Sequence, residues 1–264
     1  MESVISARAK TILRRTVLAV ATVTACAGAS AALPQFTFNP NAVGLEGTGF
    51  SADNLIISDY ANVIFTPTGF TETGFLSVTS AQLGATTFQP AGLNSAYGLY
   101  IAFSGTGVNT LGLPAGVNAG TFSALSYTLY GYNGVGSFTP TSAPVPFVKL
   151  ATGALDTSKV STFAGTSVAG QVTTANANAN LTFSIEPGKQ GFFGSPTSFY
   201  TLAQSVFGNT QSTIAMTSTG ITVSQGGGAV NFVAAPIPEP ETYALLLAGL
   251  GAVGFMARRR KTAN

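Results

Sequence analysis

The chain has 264 residues, 45% hydrophobic and only 8% charged, with no His, no Trp and a single Cys. Such a composition is too apolar for a disordered chain, and the length fits one large domain or two small ones. Without His, Ser-His-Asp and Cys-His sites are excluded, as are ordinary zinc sites.

The charge is unevenly placed. Arg8, Lys10, Arg14 and Arg15 open the chain, and Arg258, Arg259, Arg260 and Lys261 close it. Between Ala32 and Ile237 stand Lys149, Lys159 and Lys189 against Glu46, Asp53, Asp59, Glu72, Asp156 and Glu186. The body is therefore net acidic and has no basic patch to neutralise phosphates, which excludes a nucleic-acid partner.

Residues 1–31 read as a secretory signal peptide with a signal helix. Four cations precede the short apolar run Val17–Ala25, and Ala29 and Ala31 supply the small residues for cleavage after Ala31. Cys26, in "VTAC", has two readings: a lipobox cysteine that becomes a lipidated N-terminus, or an ordinary signal residue that is discarded. With either, the mature body has no disulfide.

Residues 32–235 read as one β-rich extracytoplasmic domain. "ANVIFTPTGFTETGFLSVTSAQL", "YGLYIAFSGTG", "FSALSYTLYGYNG", "PFVKLATGAL", "ANLTFSIEPGKQGFF" and "GITVSQGGGAVNFVAAP" are rich in β-branched and aromatic residues and broken by turn signals. In "TANANAN", Thr174–Asn180, a strand would place Ala on one face and Asn on the other. Phe199, Leu202, Ala203, Val206 and Phe207 fall at helical spacing between Pro196 and Gly208, which predicts a short helix over 196–207. The expected fold is mainly β, an antiparallel sandwich or jelly roll with that one helix. Ten-residue strands in the regular series of an outer-membrane barrel are not obvious.

Catalytic chemistry is poorly supplied, and the chain reads as no enzyme. A metal site is not assigned. Glu46, Asp53, Asp59 and Glu72 do fall within 27 residues free of cations, interleaved with Asn39, Asn41, Asn54 and Asn62. That grouping admits a weak calcium site, or else a solvated acidic edge that discourages edge pairing. Tyr97, Tyr100, Tyr127, Tyr130 and Tyr132 are either stacking faces for a sugar or core aromatics.

Residues 236–264 form a distinct tail. Pro238, Glu239 and Pro240 make a stiff extended ribbon that cannot join a helix. Tyr243–Ala257 is an uncharged run that rises about 22 Å as a transmembrane helix. Arg258, Arg259, Arg260 and Lys261 then stop it on the cytoplasmic side, with the body outside.

Tripeptide, apolar helix and basic cluster in that order resemble the PEP-CTERM sorting signal. The resemblance implies an exosortase partner, an inner-membrane-anchored precursor, cleavage near Pro238–Pro240, and delivery to the cell surface or extracellular matrix of a Gram-negative bacterium. From Phe36 onward, "FTFNPNAVGLEGTGFSADNLIISDYANVIF", "FTETGFLSVTS" and "PAGLNSAYGLYIAFSGTG" are similar to flocculation-associated PEP-CTERM proteins. That likeness implies a non-catalytic role in flocculation or biofilm aggregation, with the exopolysaccharide matrix and self-association as partners. The alternative is a lectin-like module that binds exopolysaccharide.

Overall fold

The computed structural model describes residues 33–194 and 202–232. The expected signal helix, the sorting motif and the transmembrane helix lie outside these residues. Among the described residues no helix is long and apolar enough to cross a membrane.

The described chain is mainly β and antiparallel, as the alternation of its apolar residues requires. The strands are β1 (Phe36–Phe38), β2 (Phe50–Ala52), β3 (Asn54–Thr66), β4 (Gly69–Leu83), β5 (Thr86–Phe88), β6 (Tyr97–Asn109) and β7 (Val117–Asn133). They continue as β8 (Val148–Ala154), β9 (Thr162–Val168), β10 (Gln171–Thr182), β11 (Ser184–Ile185), β12 (Leu202–Thr210), β13 (Ile214–Met216) and β14 (Gly220–Phe232). Short 3-10 turns occupy Pro40–Val43 and Gln190–Phe192.

Pairing runs β7–β6–β4–β3–β14–β12–β10–β9, and β9 pairs again with β7. The sheet thus closes on itself through eight strands. The long strand β7 makes this possible by serving two neighbours on one edge. Its first part, Val117–Thr121, pairs with β9, and its second, Ser126–Gly131, pairs with β8. The two faces expected of a sandwich are here joined at both sides.

Strand β3 shows why the sheet curves round a core. Leu55, Ile57, Asp59, Ala61 and Val63 are buried, while the residues between them are partly exposed. Inward positions are mostly apolar and outward ones mostly Ser, Thr, Asn or Tyr. Strand β10 divides in the same way: Ala175, Ala177 and Ala179 line the interior, and Asn176 and Asn178 are exposed. An outer-membrane barrel needs an apolar outer band, so this polarity is the reverse of that type.

One end of the closed sheet is stoppered by aromatic rings. Phe38 of β1 lies 5.6 Å from Phe50, 4.7 Å from Phe192 and 5.5 Å from Phe193, centroid to centroid. Phe232 meets Phe36 and Phe183 edge-on, at 5.0 Å each. The β1–β2 hairpin is held against this end by Asn39 N–H donating to Phe192 O and Asp53 N–H donating to Gln82 O. Such edge-to-face pairs each add about 0.5–1.5 kcal/mol beyond area burial. They give a Cys-free body a dense core.

The helix expected over 196–207 is not formed in its described part. Residues from Leu202 onward belong to β12, paired with β10 on one side and β14 on the other. The physical reason is a degeneracy of spacing. Ala203 and Phe207, four apart, share a face in a strand as well as in a helix. Val206, which a helix would bury, is exposed, and the polar Ser205 and Asn209 are buried instead. Residues 196–201 lie outside the described residues.

Candidate functional site

The closed sheet surrounds a cavity of about 470 Å³. Its floor is the aromatic stopper, reached through Leu55, Phe183 and Phe232. Its mouth lies where β3, β6 and β9 end, at Thr66, Asn109, Ser167 and Gly170. Phe70, Phe122 and Phe163 form an edge-on triplet just inside, with centroids 4.7 to 5.9 Å apart. Phe65, Val108, Leu111, Val117, Val168 and Met216 are exposed on the strand ends and turns at that end.

Between floor and mouth, Asp59, Glu72 and Asn209 interrupt the apolar wall, and Ser205 lies deeper, level with Leu55. Strand register explains the approach of the first three. Asp59 on β3 faces Leu76 on β4, and Glu72 on β4 faces Val63 on β3. The intervening pair is Ala61 and Gly74, the two smallest residues available. Both carboxylates therefore project over a shallow spot in the wall.

Asn209 reaches the same spot from β12, which joins the circuit on the far side of β14. Its side-chain amide donates to Asp59 Oδ2 at 3.0 Å. A bulge in β14 between Ser224 and Gly226, with Gln225 at φ 60, makes the room. A Cβ on Gly226 would stand 1.8 Å from Asn209 Oδ1. The glycines of "QGGGAV" therefore lie in a strand that must pass beneath Asn209.

Desolvation dominates the electrostatics. Burial pushes the Asp59 carboxyl above the ordinary carboxylate range, and the Asn209 amide partly offsets this. Burial also pushes Glu72 up, and the nearby Asp59 charge adds to it. No lysine or arginine is among the described lining residues. Tyr127, also in the wall, donates its hydroxyl to Thr182 O at 2.7 Å, and burial raises its pKa. A glycosidase pair needs a sugar and water between its carboxylates. Here the neighbours are Val63, Leu76 and Phe103, which offer a sugar no hydrogen bonds.

The acid grouping read as a calcium site is dispersed by the fold. Asp53 accepts a hydrogen bond from Gly84 N–H near the floor end. Glu46 is exposed, while Asp59 and Glu72 face the cavity. Among the described residues no three His, Cys, Asp or Glu side chains come together as a metal site.

The tyrosines do not form an open sugar platform. Tyr97, Tyr100, Tyr127 and Tyr132 are buried, and Tyr130 is half-buried. Tyr97 and Tyr127 belong to the inner core. Tyr100, Tyr130 and Tyr132 cluster on the outer face under the 134–147 loop. Phe138 of that loop lies 5.6 Å from Tyr100, 5.7 Å from Tyr60 and 6.1 Å from Tyr132. The Tyr100 hydroxyl donates to Pro144 O at 3.2 Å.

Ser205 and Asn209 escape a reading of the sequence because the helical spacing masks their parity. Asp59 carries a legible signal: it stands in register with Leu55, Ile57, Ala61 and Val63, a carboxylate on an otherwise apolar strand face.

Comparison with curated proteins and with solved structures finds no match. Residues 236–261 match the PEP-CTERM protein-sorting motif. The match spans Pro238, Glu239 and Pro240, the apolar run and Arg258 to Lys261. The chain thus carries a PEP-CTERM sorting signal, which marks it as an exported exosortase substrate, membrane-anchored as a precursor and then released at the surface.

Proposed function

We propose that the mature body is a non-catalytic structural protein of the cell surface or extracellular matrix of a Gram-negative bacterium, supporting aggregation of cells in flocs or biofilm. The sorting motif at residues 236–261 is the observation that carries this reading. The outer surface is consistent with it. Hydroxyls pair across strands at Ser104 with Ser126, Thr106 with Ser123, and Thr166 with Thr174. A surface so poor in charge favours self-association and contact with neutral polysaccharide. A closed sheet also suits a domain that must persist outside the cell without disulfides.

The test is deletion of the gene in the native bacterium. Aggregation should fall while exopolysaccharide synthesis continues. The full-length chain should restore it, and a chain lacking residues 236–264 should not. Unaltered aggregation would overturn the matrix role and leave only the sorting itself.

A further inference from the structure

We propose that the cavity enclosed by β3, β4, β6, β7, β9, β10, β12 and β14 is a binding site for a small apolar amine, whose ammonium group is held by Asp59, Glu72 and Asn209. The inference is independent of the matrix role.

Three observations lead to it. The first is shape. A cavity of about 470 Å³ with apolar walls and a few convergent polar groups is the form of a small-molecule site. Its mouth end carries exposed apolar residues, among them Leu111, Val117 and Val168, which suits an entering apolar ligand.

The second is unmet hydrogen bonding. Asp59 and Asn209 are only 3% and 6% exposed. Asp59 Oδ1 and Asn209 Oδ1, on two side chains already in contact, are buried and find no hydrogen-bond partner among the described residues. Buried polar atoms are nearly always paired, so two side by side on the cavity wall point to a ligand. The Asn209 amide must turn its nitrogen to Asp59, because an ionised carboxylate only accepts. Its oxygen is thereby left as an acceptor. Carboxylate and carboxamide oxygens together ask for a donor, and an ammonium brings three.

The third is charge. Two carboxylates without a lining cation make the site electronegative, so it excludes fatty acids and other anions. Crowded in an apolar wall, the pair resists losing its second proton. It then carries one negative charge, which a monocation balances. Calcium fits less well. It takes six to eight oxygens, more than these three side chains offer, and the wall around them is apolar.

The test uses the full-length chain in phosphatidylcholine nanodiscs without detergent, titrated calorimetrically with hexylammonium, hexanol and hexanoate. Nanodiscs without protein provide the subtraction. Hexylammonium should bind about tenfold more tightly than hexanol, and hexanoate should not bind up to about 10 mM. Asp59→Asn with Glu72→Gln should abolish the preference for the amine. Ala177→Phe, which leaves the carboxylates in place and fills the cavity, should abolish binding of amine and alcohol together.

A second measurement needs no variant. The titratable groups facing the site are Asp59, Glu72 and Tyr127, whose hydroxyl is engaged by Thr182 O. Hexylammonium stays charged throughout, so its affinity should rise from about pH 5 to about pH 8 as the pair ionises. The affinity for hexanol should not change. Equal binding of amine and alcohol, a flat pH dependence for the amine, or no amine binding at all would each overturn the proposal. Calcium binding that Asp59→Asn abolishes, without amine binding, would replace it with a metal site.

Discussion

Asn209 donates its side-chain amide to Asp59 across 150 residues of sequence, at 3.0 Å and in a buried setting. The bond joins β12 to β3 over the intervening strand β14. It therefore depends on the closed sheet, on the bulge in β14 and on the absence of a side chain at Gly226. Several properties of the protein hang on this contact and its neighbours.

Stability should fall as pH rises through the weakly acidic range. A carboxyl whose folded pKa is raised keeps its proton after the unfolded chain has lost it. The folded state then binds more protons, and the unfolding free energy declines with pH. For Glu72 the window runs from the ordinary 4.5 to about 8. For Asp59 it runs from 3.8 to about 6. The melting temperature should be highest near the bottom of this range and level off above it. Glu72→Gln should flatten the upper part of the decline. A variant profile parallel to the native one would show that Glu72 does not carry the effect.

Gly226→Ala should unfold more easily, by about 1–3 kcal/mol in denaturant titration. The added carbon would stand 1.8 Å from Asn209 Oδ1 and 2.9 Å from Val223 Cγ1. Gly227→Ala is the control. Its Cβ meets only Gly208 O, at 3.6 Å, so its stability should stay within about 0.5 kcal/mol. Equal effects at the two positions would remove the steric argument.

Phe138→Ala should loosen the loop over the outer aromatic cluster. Phe138 contacts Tyr60, Tyr100 and Tyr132 but is only half-buried, so a loss of about 1–3 kcal/mol is expected. Limited proteolysis should then cut between residues 134 and 147 before it cuts the sheet. If the native and variant proteins are cut alike, the ring contacts do not hold the loop.

Replacing Pro238, Glu239 and Pro240 together by Ala should trap the precursor. Intact-mass measurement of the native protein should find a surface form ending near Pro238–Pro240 and a full tail in the inner membrane. The triple variant should show the full tail alone. A shortened surface form of the variant would place recognition elsewhere in the tail.

The sequence alone determined what local periodicity and composition can carry. Alternation in "SALSYTLY" and "ANANAN" and the β-branched and aromatic residues of "ANVIF" made strands. The tail was legible because its tripeptide, apolar run and cations are contiguous. Closure of the sheet was not legible. It rests on β7 pairing with β9 at one end and β8 at the other, a choice between distant strands that no local pattern encodes. The helix expected over 196–207 failed where apolar spacings of four serve both periods, and pairing with β10 and β14 decided for the strand.

The site followed the same division. Asp59 on an apolar face was visible in the sequence as an anomaly. Its meaning was not, because Glu72 and Asn209 come to it from other strands. Of the acids that stand close in sequence, Asp59 and Glu72 face one cavity, Glu46 is exposed on a loop and Asp53 lies at the floor end. The tyrosines that a flat sheet would have exposed were buried by the core on one face and the 134–147 loop on the other. Alternation settles which residues can turn inward, but only closure settles what they meet there.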